Sequence, residues 1–371
     1  MSEKDSKKAK LIIADSEKDS SMFYATRISV PDPFIWLEVD GKTKIYVSVL
    51  EFGRAQKEAA VDEVINDSRF TENSFSDRLD SILKENGIGK VIVPETMEIR
   101  YVKMLERGNV KIEMKSGTFF EKRKIKSEEE IEKIAKVQEV AERSMTKAIR
   151  MIRESEIKKG NKLYYQGKVL TSELVREAIH IELLKGGCGF EPSIVACGEQ
   201  SADPHQMGKG PLFANKPIVI DIFPKSYESK YFADITRTVV KGKASLEIRK
   251  MYQTVLEAQR KAINEIKSGI KAGTLDVLIR EYFEEHKFET VFVGNPKGFI
   301  HSTGHGVGID IHENPSIRKT SEEILETGNV ITIEPGLYYP GIGGVRIEDL
   351  VVVTKEGARN LTKFPKEEFE I

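Results

Sequence analysis

Cysteine is scarce: Cys188 and Cys197 are the two thiols in 371 residues. One possible bridge in a chain this long builds no disulfide framework, and a reducing cytoplasm is the expected setting. Neither thiol has a histidine beside it in the sequence, which argues against a cysteine nucleophile. Long apolar runs are missing too, since none approaches the roughly 18 to 20 residues needed to span a bilayer. Residues 1–10 are charged and lack an apolar core, so no secretory signal is expected. Neither sign of charge is in excess, with 58 Lys and Arg against 59 Asp and Glu. That balance gives no reason to expect nucleic acid or an anionic membrane as partner. No low-complexity tract, Cys-based zinc spacing or phosphate-cradling glycine loop appears.

What is present suits a chain of two or three ordinary domains, with 39% hydrophobic residues to build cores and 32% charged residues to solvate them. Residues 33–39 and 43–49 are β-rich runs joined by Asp40-Gly41, a strong hairpin signal. Amphipathic stretches are expected at 58–65 and 76–85, the second ending near Gly87, with strands at 91–93 and 110–114. This alternation predicts a small sheet covered by helices. After the basic run 122–126, Ser127 and Glu130 form a capping box and Ile131, Ile134, Val137 and Val140 follow at helical spacing. The domain boundary is therefore placed near 125, giving domains 1–125 and 126–371. Helices are expected to about 154 and over 171–184, the latter stopped by Gly186-Gly187, then again over 245–266 and 275–286. Short strands start at Glu191. Helix, helix and a carboxylate-bearing hairpin occur once before residue 240 and again over 245–354, a faint duplication that suits two half-domains facing across a cleft.

The hairpins carry the chemistry. Asp221 interrupts the apolar run IVIDIF and Asp234 interrupts the next strand; the midpoint between them falls at Tyr227-Glu228, in a polar turn-like stretch. Folding there places the two carboxylates opposite each other, with Cβ atoms roughly 5 Å apart. Two such groups in a half-buried sheet repel unless one protonates or a cation is shared; an edge-strand pair facing water is the plain alternative. Glu334 and Glu348 repeat the arrangement about residue 341, the glycine of Pro340-Gly341. Three of the six histidines lie in HSTGHGVGIDIH, where Gly304, Gly306 and Gly308 surround His305. A neutral imidazole completes a divalent-metal site, whereas His180 and His286 read as surface residues. Four carboxylates and one histidine describe a two-metal hydrolytic centre with ions roughly 3.5 to 4 Å apart. Its oxygen-rich ligands favour Mn²⁺ or a similar harder ion, with Co²⁺, Zn²⁺ or Fe²⁺ as alternatives.

The motifs PIVIDIF…ADITRT, HSTGHGVG…H, ITIEPG and GGVRIEDLVV resemble those of the superfamily of methionine aminopeptidase, aminopeptidase P and prolidase, the pita-bread metallopeptidases. The resemblance covers roughly residues 127–365 and implies an α+β fold: a C-terminal pita-bread catalytic domain behind a smaller creatinase-like α/β domain. It implies Asp221, Asp234, His305, Glu334 and Glu348 as metal ligands, with Asp234 and Glu348 bridging. His205 and His312 match residues that bind the scissile amide and stabilise the tetrahedral intermediate, and His301 matches a histidine of the proline-directed members. The separation of Asp221 and Asp234, 13 residues, is slightly longer than usual for the family, and the segment 192–204 matches less well.

The implied activity is metal-dependent hydrolysis of the N-terminal Xaa-Pro bond of dipeptides or short peptides by a hydroxide bridging two metals. Glu334 serves as general base and then acid. Arg346, two residues before Glu348 and on the same strand face, reads as orienting a carboxylate beside the substrate, with an ordinary surface arginine as the alternative. The family's extra domain implies a homodimer. A methionine-type aminopeptidase is the alternative, which His301 and the leading domain oppose. Creatinase-like amidinohydrolysis and a non-catalytic scaffold both conflict with a complete ligand set.

Overall fold

The structure, a computed structural model, describes residues 7–72, 74–189, 192–290 and 297–371. Residues 1–6 of the charged start and Glu191, the expected first residue of the strand-rich segment, lie outside the described residues. Backbone contacts divide the chain into Met1–Arg123 and Lys124–Ile371.

In the leading unit, β-branched runs alternate with short helices in the order β1 (Lys7–Ala14), α1 (Ser20–Thr26), β2 (Phe34–Val39), β3 (Lys42–Val47), α2 (Val49–Glu58), β4 (Glu63–Asn66), α3 (Phe75–Glu85), β5 (Ile88–Pro94), α4 (Ile99–Arg107) and β6 (Lys111–Lys115). The six strands form one sheet in the order β4-β3-β2-β1-β5-β6. Alternate side chains of β1 enter opposite cores: Leu11 and Ile13 pack with Leu79, Val91 and Leu105, while Ile12 packs with Trp36 and Phe119. Asp40 and Gly41 turn the β2–β3 hairpin with φ of 52° and 77°, the left-handed pair that a two-residue loop requires.

Two expectations need correction here. The helix expected over 58–65 lies earlier, at α2, and Val61 to Ile65 leads into β4 instead. Ser48 ends β3's extended run as the helix N-cap, which also moves Val49 from strand into helix. The β-branched Val64 and Ile65 then pair in parallel with Ile45 and Tyr46. Elements β1, α1 and α4 had no counterpart in the sequence reading.

The second unit opens with α5 (Glu128–Arg153), whose Ser127–Glu130 capping box is formed. A small sheet follows, β7 (Glu156–Ile157), β8 (Leu163–Tyr165) and β9 (Lys168–Val169), then α6 (Ser172–Lys185), β10 (Cys188–Gly189), β11 (Ile194–Cys197), β12 (Ile218–Ile222), β13 (Lys225–Ser226) and β14 (Ile235–Val239). The next half contains α7 (Leu246–Glu265), α8 (Ala272–Glu285), β15 (Gly304–Gly306), β16 (Glu313–Ile317), β17 (Val330–Ile333), β18 (Gly336–Tyr339), β19 (Gly343–Arg346), β20 (Asp349–Val353) and β21 (Ala358–Asn360). Thr171 and Ser245 cap α6 and α7 by accepting the amides of Leu174 and Ile248, bonds worth about 1 kcal/mol each.

Each half buries a helix pair on its own sheet. Ala141, Met145, Ile179 and Leu183 of α5 and α6 meet Ile218, Ile220 and Ile235 of the β11-β12-β14 sheet. Val255, Leu275 and Phe283 of α7 and α8 meet Ile331, Ile333 and Val351 of the β16-β15-β17-β20-β21 sheet. The halves join at their hairpins, where the Glu348 amide donates to the Thr236 carbonyl at 3.1 Å. Beside it, the Thr238 hydroxyl donates to the Arg346 carbonyl at 2.9 Å and accepts the Arg346 amide at 3.0 Å. Among the described residues no helix is long and apolar enough to cross a membrane.

Candidate metal centre

Strand alternation decides where the acidic residues point. Ile218, Ile220, Ile222 and Ile235 face the helices, so Asp221, Asp234 and Thr236 face the opposite side of the same sheet. In the other half Ile331 and Ile333 enter the core beside α7 and α8, which fixes the course of the strand into Glu334.

The two hairpins differ in register. Gly336 pairs with Arg346 and Ile333 with Asp349, so Glu334 and Glu348 stand opposite each other about Gly341, as expected. Asp221 pairs instead with Thr236, two residues beyond Asp234. The turn lies one residue later than the expected Tyr227-Glu228 midpoint, because Lys230 adopts φ 62° and its amide closes onto the Ser226 carbonyl at 3.0 Å. The aspartates are therefore diagonal neighbours on one face rather than direct opposites, still within reach of a shared partner.

The carboxylates converge in a buried cluster. One ligand atom each from Asp234, His305 and Glu348 lies within 4.8 Å of the other two. His305 Nε2 is 3.4 Å from Glu334 Oε1 and 3.7 Å from Asp234 Oδ2. Burial, then the charge of Asp221, pushes the Glu348 carboxyl up to about 8. Burial and the neighbouring acids raise Asp234 and Glu334 well above the carboxylate range. His305 is pulled down to about 3 by burial and then by His312, so its ring is neutral and can donate a lone pair to a metal.

Asp221 supplies the sharpest test of fit. Arg346 Nη2 donates to its Oδ2 at 2.6 Å, while its Oδ1 is buried with no hydrogen-bond partner among the described residues. Mutually repelling carboxylates, an orphaned buried oxygen and a neutral imidazole together fit divalent cations, which would satisfy all of them at once.

The other predicted residues surround this cluster. His301 Nδ1 lies 2.7 Å from the Ser302 carbonyl, so it carries the proton, leaving Nε2 to accept from the Tyr338 hydroxyl at 2.9 Å. Arg346 Nη1 donates to that same hydroxyl at 2.8 Å. His312 stands perpendicular to His305, ring centroids 4.3 Å apart. His205 is exposed and lies near enough to His301 and His312 to help lower both. His180 and His286 lie on helices away from it; both are half-buried rather than open surface residues, and His286 Nδ1 sits 2.8 Å from its own helix's Tyr282 carbonyl.

Several supporting residues were not anticipated. Gln138 accepts the Asp234 amide at 3.2 Å, and Gln259 donates to the carbonyls of Ile333 and Ile347 at 2.9 and 3.2 Å. Each half's first helix thus buries one glutamine against its own hairpin. Asp276, fully buried, accepts the amide and hydroxyl of Thr303 at 3.0 and 2.9 Å and Nε of Arg280 at 2.6 Å. Arg280 in turn donates to the His301 carbonyl at 2.9 Å. In sequence this pair reads as an ordinary i,i+4 surface contact; only burial beneath the histidine strand gives it meaning.

Known proteins match this arrangement. Residues 132–355 match the model of metallopeptidase family M24. The Xaa-Pro dipeptidase of Pyrococcus furiosus is 35% identical over 341 residues, 90% of this chain and 88% of that protein. The solved prolidase from Pyrococcus furiosus superposes with a TM-score of 0.80 at 31% identity, covering 96% of this chain and 97% of the other. The X-Pro aminopeptidase from Thermotoga maritima gives 0.81 at 26% identity, covering 98% of each. The α+β architecture is accordingly the pita-bread fold of those relatives, and metal dependence follows from the family. With four carboxylates, a neutral histidine and an orphaned oxygen gathered on its duplicated sheets, the chain belongs to metallopeptidase family M24.

Proposed function

We propose that this protein hydrolyses the Xaa-Pro bond of dipeptides with two divalent metal ions held by Asp221, Asp234, His305, Glu334 and Glu348. The observation that carries the reading is the buried cluster itself: Asp234, His305 and Glu348 each bring a ligand atom within 4.8 Å of the other two. Burial and mutual repulsion raise the carboxyls of Asp234, Glu334 and Glu348, a cost that a shared cation would remove. Asp234 and Glu348, which share one group with His305, are the bridging candidates. Mn²⁺ is the ion this oxygen-rich set favours. Xaa-Pro specificity is supported by the Pyrococcus furiosus relative and by His301 beside the cluster.

When bound, the metals supply an activated water near neutral pH and polarise the scissile carbonyl. Glu334 would accept the proton given up by the attacking water and return it to the leaving nitrogen. His205 and His312 hydrogen-bond the carbonyl oxygen and the scissile amide as charge develops. Arg346 holds Asp221 in place and, through Tyr338, sets the orientation of His301 at the substrate side.

The same reading makes the leading unit the creatinase-like domain of a homodimer, with Leu50, 87% exposed, as apolar surface for a second copy. Buried free Cys188 and Cys197 suit a reducing cytoplasm.

The test is an assay of metal-stripped protein, with and without Mn²⁺, on an Xaa-Pro dipeptide, an Xaa-Pro-Xaa tripeptide and a Met-Ala peptide. Metal-dependent cleavage of the dipeptide above the tripeptide is the expected result. The reverse preference makes the protein an X-Pro aminopeptidase, and cleavage of Met-Ala alone overturns the role of His301.

A further inference from the structure

The basic run 122–126 reads in the sequence as the connection into the second unit, yet its last lysine is not a linker residue. The Lys126 side chain is 2% exposed and its Nζ lies 3.0 Å from Oε2 of Glu313, itself 6% exposed. The Lys126 backbone is fixed on both sides: its amide donates to the Gly328 carbonyl at 2.9 Å, and Ser127 caps α5. A lysine this deep stays charged only beside an equally buried carboxylate.

Glu313 uses that anchor to close a loop. Its other oxygen, Oε1, accepts the Asp310 amide at 3.0 Å. Gly308 lies directly beneath the carboxylate, where any Cβ would collide with it. The loop is tied in turn to the first half, since the Gly308 carbonyl accepts the Phe232 amide at 2.8 Å. The next residue back from Glu313 is His312, whose ring stands against His305. His305 has fastenings of its own: its amide donates to the Thr332 hydroxyl at 3.1 Å and its Nδ1 lies 3.2 Å from the Gly306 carbonyl.

We infer that Lys126 and Glu313 are positioning residues that hold the His312 imidazole over the scissile bond, acting on turnover without acting on metal capture. The inference rests on the role given to His312 under Proposed function. Removing the ammonium takes a buried counter-charge from Glu313 at 3.0 Å and weakens its hold over Gly308 and on the loop. His312 then loses its aim, while His305 and the four acids keep theirs.

The experiment is a double-mutant cycle on the full chain loaded with Mn²⁺, with Ala-Pro as substrate and Mn²⁺ per chain measured in parallel. Lys126→Met is expected to lower kcat about 10- to 100-fold, as outer-sphere partners do, with KM moving less and bound Mn²⁺ unchanged. Glu313→Gln, which keeps the shape of the side chain, gives the same pattern and stands in if Lys126→Met does not fold. The decisive comparison is Lys126→Met combined with His312→Ala: the double variant is no slower than His312→Ala alone. Losses that multiply, loss of bound Mn²⁺ in the single variants, or unchanged kcat in both overturn the inference. If wild-type protein leaves Ala-Pro intact, or His312→Ala matches wild type, the reading of the site fails and carries this one with it. An impaired His312→Ala with multiplying losses defeats the positioning role alone.

Discussion

The two halves of the second unit perform one structural task with unequal equipment. Each presses a helix pair onto a sheet, buries one glutamine of its first helix against a hairpin, and offers two acids on the side of the sheet away from its helices. The first half adds His205 to its aspartates. The second half adds His301, His305, His312 and Arg346 to its glutamates, and its arginine reaches across to Asp221. Duplication therefore explains the carboxylates, while the histidines and the arginine distinguish the halves. On the proposed function, metal capture would be shared between them and the handling of substrate would fall mostly to the second.

If capture is shared, one ligand lost from either half should be equally damaging. Asp234→Ala and Glu348→Ala are each expected to cut kcat/KM by about a thousandfold or more, beyond the roughly 10- to 100-fold cost of losing an outer partner. Both should also lower bound Mn²⁺ by metal analysis. A large loss in only one of them would break the symmetry. The bond that crosses between the halves ranks next: Arg346→Lys keeps the charge but loses the fork that serves Asp221 and Tyr338 together. A loss of about 10- to 100-fold in activity or metal affinity is expected, read by steady-state kinetics and Mn²⁺ titration.

Asp276→Asn tests the support peculiar to the second half. It removes the buried carboxylate to which Arg280 Nε donates, a change costing about 3 kcal/mol, visible as a lower midpoint of urea unfolding. The smallest effects come from the turns. Gly341, at φ 82°, predicts a loss of about 1 kcal/mol for Gly341→Ala, measured in the same way. Lys230, at φ 62°, predicts a smaller shift of opposite sign for Lys230→Gly.

The same contrast shows why one hairpin was legible to the residue. Pro340-Gly341 marks its turn chemically, so the register of Glu334 and Glu348 could be counted from it. The first turn contains no glycine or proline, and a lysine takes the left-handed position, so counting from the midpoint placed Asp221 two residues out of register. The Ser127 cap was equally readable, and the helix starts at 171 and 245 fell on the residues that cap α6 and α7. Helix α2 was not, because Val49 and Leu50 at its start are 64% and 87% exposed and spoil the amphipathic pattern. Partnerships between distant residues, such as Gln138 with Asp234 or Lys126 with Glu313, leave no local period; only the folded chain brings them together.

The central claim is that the acid cluster is built for cations, and thermal unfolding of metal-stripped protein against pH tests it most directly. Glu348 is raised from 4.5 to about 8 in the fold, so the stability it contributes is complete below 4.5 and is lost as pH rises through about 8. Asp234 and Glu334, also raised, act in the same direction. His305, lowered from 6.5 to about 3, acts oppositely, but only where pH falls below 6.5. Between 6.5 and about 8 the stripped protein should therefore lose Tm steadily, and Mn²⁺ should abolish the decline by replacing the protons. A Tm that stays level over that interval, the same with and without Mn²⁺, would contradict the account.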